Sequence, residues 1–158
     1  MQAESMKKVQ KPETHVIGIA CRTANTSDAA PIDIPRLWQR FYAENILSQI
    51  PNSMTDHVIA LYCDYEGDYS QPYTCVIGCR VSSIEEVPEG MVAKTIPAST
   101  FAVYEAVGEF PQSVLNVWNE VWQSTTLKRT YAGDYEIYGK RFFIDASKPV
   151  SIYVAIEE

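Results

Sequence analysis

Two amphipathic helical stretches, each preceded by one strand-like run and followed by two, leave this chain few folds to choose from. In the first set, His15–Thr23 reads as a strand, and a helix runs from Asp33 to about Ile50. Strands His57–Glu66 and Tyr73–Val81 follow. In the second set, the strand Thr100–Val107 leads into a helix opened by Pro111 and running to about Thr125, then strands Asp134–Tyr138 and Val150–Glu157. Met91–Ile96 adds a strand between the sets. Alternation at period two marks the strands, and apolar residues at 3.6-residue spacing mark the helices. A repeated βαββ order predicts an α+β domain: one curved antiparallel sheet with two long helices packed on it.

Composition narrows the class. The chain has 158 residues, enough for one domain with a full core. Its net charge of -7 argues against a phosphate-binding face and against an attached DNA-binding helix pair. No apolar run has membrane length, and Met1–Lys11 lacks the apolar stretch of a secretory signal. The expected setting is the cytoplasm, with no direct nucleic-acid binding and no membrane. Cys21, Cys63, Cys75 and Cys79 fall in apolar runs without C-x-x-C spacing, so they read as unpaired thiols. His15 and His57 lie far from ligand spacing, and neither a metal nor a cofactor is expected. Residues 1–13 read as a loose leader and 14–158 as the domain.

The strand faces are sorted by size. Alternation places Ile17, Ile19, Ile59, Leu61, Cys75, Ile77, Phe101, Val103, Ile152 and Val154 together as core filler. The other face collects Gly18, Ala20, Ala60, Gly78, Ala102, Ala106 and Ala155 with Tyr62, Tyr104, Tyr138 and Tyr153, and it carries Glu136. Small residues beside tyrosines describe either a ligand cavity or the wetted side of a sheet. Glu136 is correspondingly either a strand acid that reaches water or a partly buried anion held for a cation or a proton. Trp118 and Trp122, one helical turn apart, are either plain core or a ligand wall. Trp38 lies on the apolar arc of the first helix.

The ordered set of Ile96-Pro97-Ala98-Ser99-Thr100-Phe101-Ala102-Val103-Tyr104-Glu105, Gly108, the Trp118/Trp122 helix, Asp134-Tyr135-Glu136-Ile137-Tyr138 and Ile152-Tyr153-Val154-Ala155-Ile156 resembles the GyrI-like effector-binding domain. That module occurs in DNA gyrase inhibitory proteins and as the ligand domain of AraC- and MerR-type multidrug regulators. The resemblance covers about residues 14–157. It implies an aromatic pocket between the two halves, with an acid at its base that meets lipophilic cations. It places that acid at Glu136 and the following tyrosine at Tyr138, with Trp118 and Trp122 on the wall. Tyr104, Tyr62, Trp38 and Tyr153 complete the expected ligand-binding set. The implied function is binding of a lipophilic, cationic small molecule. Two alternatives remain open: a protein-binding inhibitor or protector of the gyrase type, and a hydrolase of reactive electrophiles with Glu136 as general base.

Overall fold

The structure, a computed structural model, describes residues 6–24, 30–54, 57–67, 71–109, 112–139 and 150–157. The helix opening expected at Pro111 lies outside those residues. Along the chain come β1 (Lys7–Lys11), β2 (Thr14–Thr23), α1 (Ala30–Ala43), a 3-10 turn (Ile46–Gln49), β3 (Val58–Cys63), β4 (Tyr73–Val81), β5 (Val92–Ile96), β6 (Ser99–Ala106), α2 (Gln112–Gln123), β7 (Asp134–Tyr138) and β8 (Val150–Ile156). The duplicated order stands, as β2-α1-β3-β4 and β6-α2-β7-β8. The strands form one antiparallel sheet in the order β1-β6-β8-β7-β3-β4-β2-β5, so the two halves join where β7 pairs with β3.

Three expectations are corrected. Residues 7–11, assigned to a loose leader, form an edge strand along β6, with Val9 opposite Phe101 and packed beside it. Three lysines in five residues hid that single inward valine. The first helix begins at Ala30, so Asp33 lies inside its first turn rather than capping it, where a carboxylate still favours the positive helix end. It also stops at Ala43 instead of running to Ile50. Asn45 takes a left-handed backbone (φ 53°), and Ile46–Gln49 continue as 3-10. Ile46 is buried, which is why the apolar spacing reads on as helix.

The third correction concerns the faces. Directly paired residues of an antiparallel sheet point the same way. One row crosses six strands: Ile19, Ile77, Ala60, Glu136, Ile152 and Tyr104. Glu136 therefore shares its face with large aliphatics, and this is the face both helices cover. Ile59, Leu61, Phe101 and Val103 lie on the reverse, packed with Tyr135 and Ala155. Both faces are buried, so residue size does not distinguish them.

The sheet is forced to curl. β6 and β5 are six strand positions apart, roughly 29 Å if flat at ~4.8 Å per strand. Yet β5 ends at Ile96 and β6 begins at Ser99, a link that spans at most about 11 Å. Ile96 and Phe101 accordingly join the same reverse-face cluster as Leu61. Gly18 and Gly78 face each other where β2 and β4 approach most closely. A Cβ at Gly78 would stand 2.0 Å from the Ile17 carbonyl oxygen, and one at Gly18 would stand 2.1 Å from that of Ile77. These are backbone atoms, which cannot swing aside. Gly78→Ala should therefore lower unfolding free energy by about 2 kcal/mol or more in urea melts. A midpoint equal to wild type would refute the close approach.

Candidate functional site

The seam strand β7 turns Asp134, Glu136 and Tyr138 toward the helices, as its alternation requires. α1 packs on the β2 and β4 side of the sheet and α2 on the β6 side, which leaves β7 and β3 as the floor between them. Glu136 is 2% exposed. Small Ala60, directly across from it on β3, leaves room for its carboxylate. Three donors close on that group. Tyr138 Oη donates to Oε1 at 2.7 Å, Trp118 Nε1 donates to Oε2 at 2.7 Å, and Tyr62 Oη donates to Oε2 at 3.0 Å. Burial pushes the Glu136 pKa up, and the three hydrogen bonds hold it back without cancelling the rise. The same burial, with the Glu136 charge added, keeps Tyr62 and Tyr138 firmly protonated as donors.

Six of the eight residues singled out in the sequence gather here. Glu136, Tyr138, Tyr62 and Trp118 are directly bonded. Trp38 from α1 stands edge-on to Tyr138, with ring centroids 5.0 Å apart, and Trp122 stacks against Trp118 at 6.4 Å. Trp118 and Trp122 both pack with the core, and the Trp118 indole N–H also serves the carboxylate. Tyr104 lies on the same face, one strand beyond Ile152, within the fields of Glu120 and Arg129. Tyr153 does not belong. It pairs with Tyr135 and stacks on it at 4.6 Å on the reverse face.

A second buried acid escaped the sequence reading. Asp134 is fully buried and accepts from the Ala155 backbone N–H at 2.8 Å, Tyr65 Oη at 2.8 Å and Arg129 Nη2 at 2.6 Å. Arg129 is buried with it, its guanidinium carbon 4.3 Å from the Tyr131 ring centroid and 5.8 Å from that of Trp118. Burial alone would lower the Arg129 pKa, but Asp134 and Tyr65 outweigh it and the net shift is upward. Arg129 sits in the connection after α2, where periodicity gives no signal. Only the position of Asp134, two residues before Glu136 on one face, pointed here.

The raised Glu136 pKa sets a pH dependence. Its contribution to stability is present below the ordinary value of 4.5 and is lost as pH rises through the folded value. Relative to Glu136→Gln, wild type should therefore lose stability as pH climbs above 4.5 in denaturant melts. Tyr138→Phe removes one charge-assisted bond. It should cost about 1.5–3 kcal/mol at neutral pH and extend the loss to higher pH. A pH profile for Tyr138→Phe parallel to wild type would show that this bond does not hold the charge.

Comparison with known proteins places this arrangement. Residues 9–156 match the Cass2 family, described as integron-associated effector binding protein. YobU of Bacillus subtilis (strain 168), named as a proposed transcriptional regulator, is 29% identical over 145 residues, which cover 89% of this chain and 91% of YobU. The crystal structure of the integron cassette protein VCH_CASS2, from the mobile metagenome of Vibrio cholerae, superposes with a TM-score of 0.73 at 27% identity. The match covers 98% of this chain and 97% of that one. SAV2435, solved bound to tetraphenylphosphonium, superposes at 0.79 over 96% and 93% of the two chains; at 19% identity it shows the fold alone. The match over residues 9–156 spans nearly the whole chain, and the protein belongs to the Cass2 family of GyrI-like effector-binding domains.

Proposed function

We propose that this chain binds lipophilic cations in the seam between α1 and α2, with Glu136 as their charge partner. The observation that carries this reading is the contrast between two buried acids. Asp134 has an internal cation, Arg129, at 2.6 Å. Glu136, equally buried, is met only by the neutral donors Tyr62, Trp118 and Tyr138 among the described residues. An ionised carboxylate without a cationic partner is costly to bury, so its retention asks for a reason.

The aromatic setting supplies the rest. Tyr62 and Trp118 meet edge to face, and Trp38 lies against Tyr138. A cation entering among these rings gains about 0.5–2 kcal/mol per well-placed ring. It also gains the Glu136 charge. Two of the three donors stand on the sheet, whereas Trp118 comes from α2. Entry is easiest where that indole swings away and gives up its N–H bond. The tetraphenylphosphonium held by SAV2435 on the same fold supports an apolar cation as the ligand class.

Calorimetry with tetraphenylphosphonium and the neutral triphenylphosphine oxide tests this reading. Glu136→Gln should weaken the phosphonium by about tenfold or more, the equivalent of 1.4 kcal/mol, and leave the oxide within about twofold. A bound cation stabilises the ionised carboxylate, so binding should release a proton where free Glu136 is partly protonated. Affinity should fall as pH drops through that range. Equal binding of both compounds by wild type and Glu136→Gln would remove Glu136 as the anchor.

A further inference from the structure

Arg129 is only partly engaged. Its side chain is 6% exposed, and Nη2 donates to Asp134. Nε and Nη1 are both closed off from solvent and reach no acceptor among the described residues. A buried donor left without a partner is destabilising, so two on one side chain are unusual. The guanidinium is also held firmly in place. Rings of Tyr131, Trp118 and Tyr65 stand 4.3, 5.8 and 6.0 Å from its central carbon. Tyr131 keeps its place with a left-handed backbone, φ 59°, which a bulky residue rarely adopts. The backbone on either side of Arg129 is tied to the end of β8, by Thr130 N–H to the Ala155 carbonyl at 3.1 Å and Glu157 N–H to the Lys128 carbonyl at 2.8 Å.

Trp118 links this cage to the Glu136 site. Its indole N–H donates to Glu136, and its ring neighbours Arg129. A ligand that displaces this indole from Glu136 opens the way toward the guanidinium. Tyr104 already lies in the field of Arg129 there.

We propose that Arg129 is a second recognition point, whose unpaired Nε–H takes a neutral hydrogen-bond acceptor carried by the cation bound at Glu136. This rests on the reading of Glu136 given above. Charge decides the kind of acceptor. Arg129 is already balanced by Asp134, and the incoming cation balances Glu136. A carboxylate on the ligand would add an uncompensated buried charge, whereas a carbonyl satisfies the Nε–H without one. The favoured ligand class is therefore a lipophilic cation bearing a ketone, ester or amide oxygen.

Hexyltriphenylphosphonium and (5-oxohexyl)triphenylphosphonium differ by one carbonyl on chains of equal length and test the proposal directly. Wild type should bind the carbonyl compound about tenfold more tightly, because its oxygen finds a waiting charged donor. Arg129→Lys keeps a cation for Asp134 but loses the planar fork, and should bind the two compounds within about twofold of each other. The Arg129 Hε resonance of wild type supplies a measurement that does not depend on the variant folding. It should move downfield with the carbonyl compound and not with the alkyl one. Equal wild-type affinities, or an Hε shift of equal size with both, would overturn the role of Arg129 and leave that of Glu136 standing. Failure of both compounds to bind wild type would overturn the two together.

Discussion

The structure depends on how the two halves join. Among the described residues, β7 is the only strand of the second half that pairs with the first, and it meets β3 over five register positions. A joint of this kind would ordinarily be filled with aliphatic side chains. Here its helix-facing positions are Asp134, Glu136 and Tyr138, all of them buried. The cost of burying two carboxylates is met locally: Asp134 by Arg129, Tyr65 and a β8 amide, Glu136 by two phenols and an indole. Those six donors come from β3 and the residues just after it, β7, β8, α2 and the connection after α2. Satisfying the acids therefore fixes β3, β7, β8, α2 and the connection after α2 relative to one another.

The two acids divide the work. Asp134 is locked with an internal cation, and its neighbours converge on it from backbone and side chain alike. Glu136 is held by groups that carry no charge, and one of them stands on a helix rather than on the sheet. Two carboxylates two residues apart thus sit in different electrostatic surroundings because only one of them has an arginine.

Much of this was legible in the chain. β4 and β7 fall at the expected residues, because their alternation is bounded by turn residues on both sides. The duplicated order, and Glu136 with Trp118 and Tyr138, were legible too. The assignment of faces was not. Ile59 and Leu61 look like partners of Ile17 and Ile19, but register puts them on opposite sides, and a sheet buried on both faces offers no polar side to break the tie. Tyr153 was misplaced for the same reason. The end of α1 was hidden because buried Ile46 keeps helical spacing past Asn45, which turns the chain through its backbone and not through its hydrophobicity. Arg129 is invisible to periodicity altogether. It lies in an irregular segment, and only three-dimensional proximity pairs it with Asp134.

The edge strand β1 bears on how the molecule meets its neighbours. A sheet that curls without closing keeps two free margins, each able to template a further strand. Here both are five residues long, too short to offer a long flat edge. β1 also carries Lys7, Lys8 and Lys11, and Lys11 reaches over the Tyr153 ring at 5.8 Å. A chain docking edge-on would have to strip water from these ammonium groups and disturb that lysine cover. In an acidic protein these lysines thus guard the margin against unwanted strand pairing, a task separate from holding any ligand.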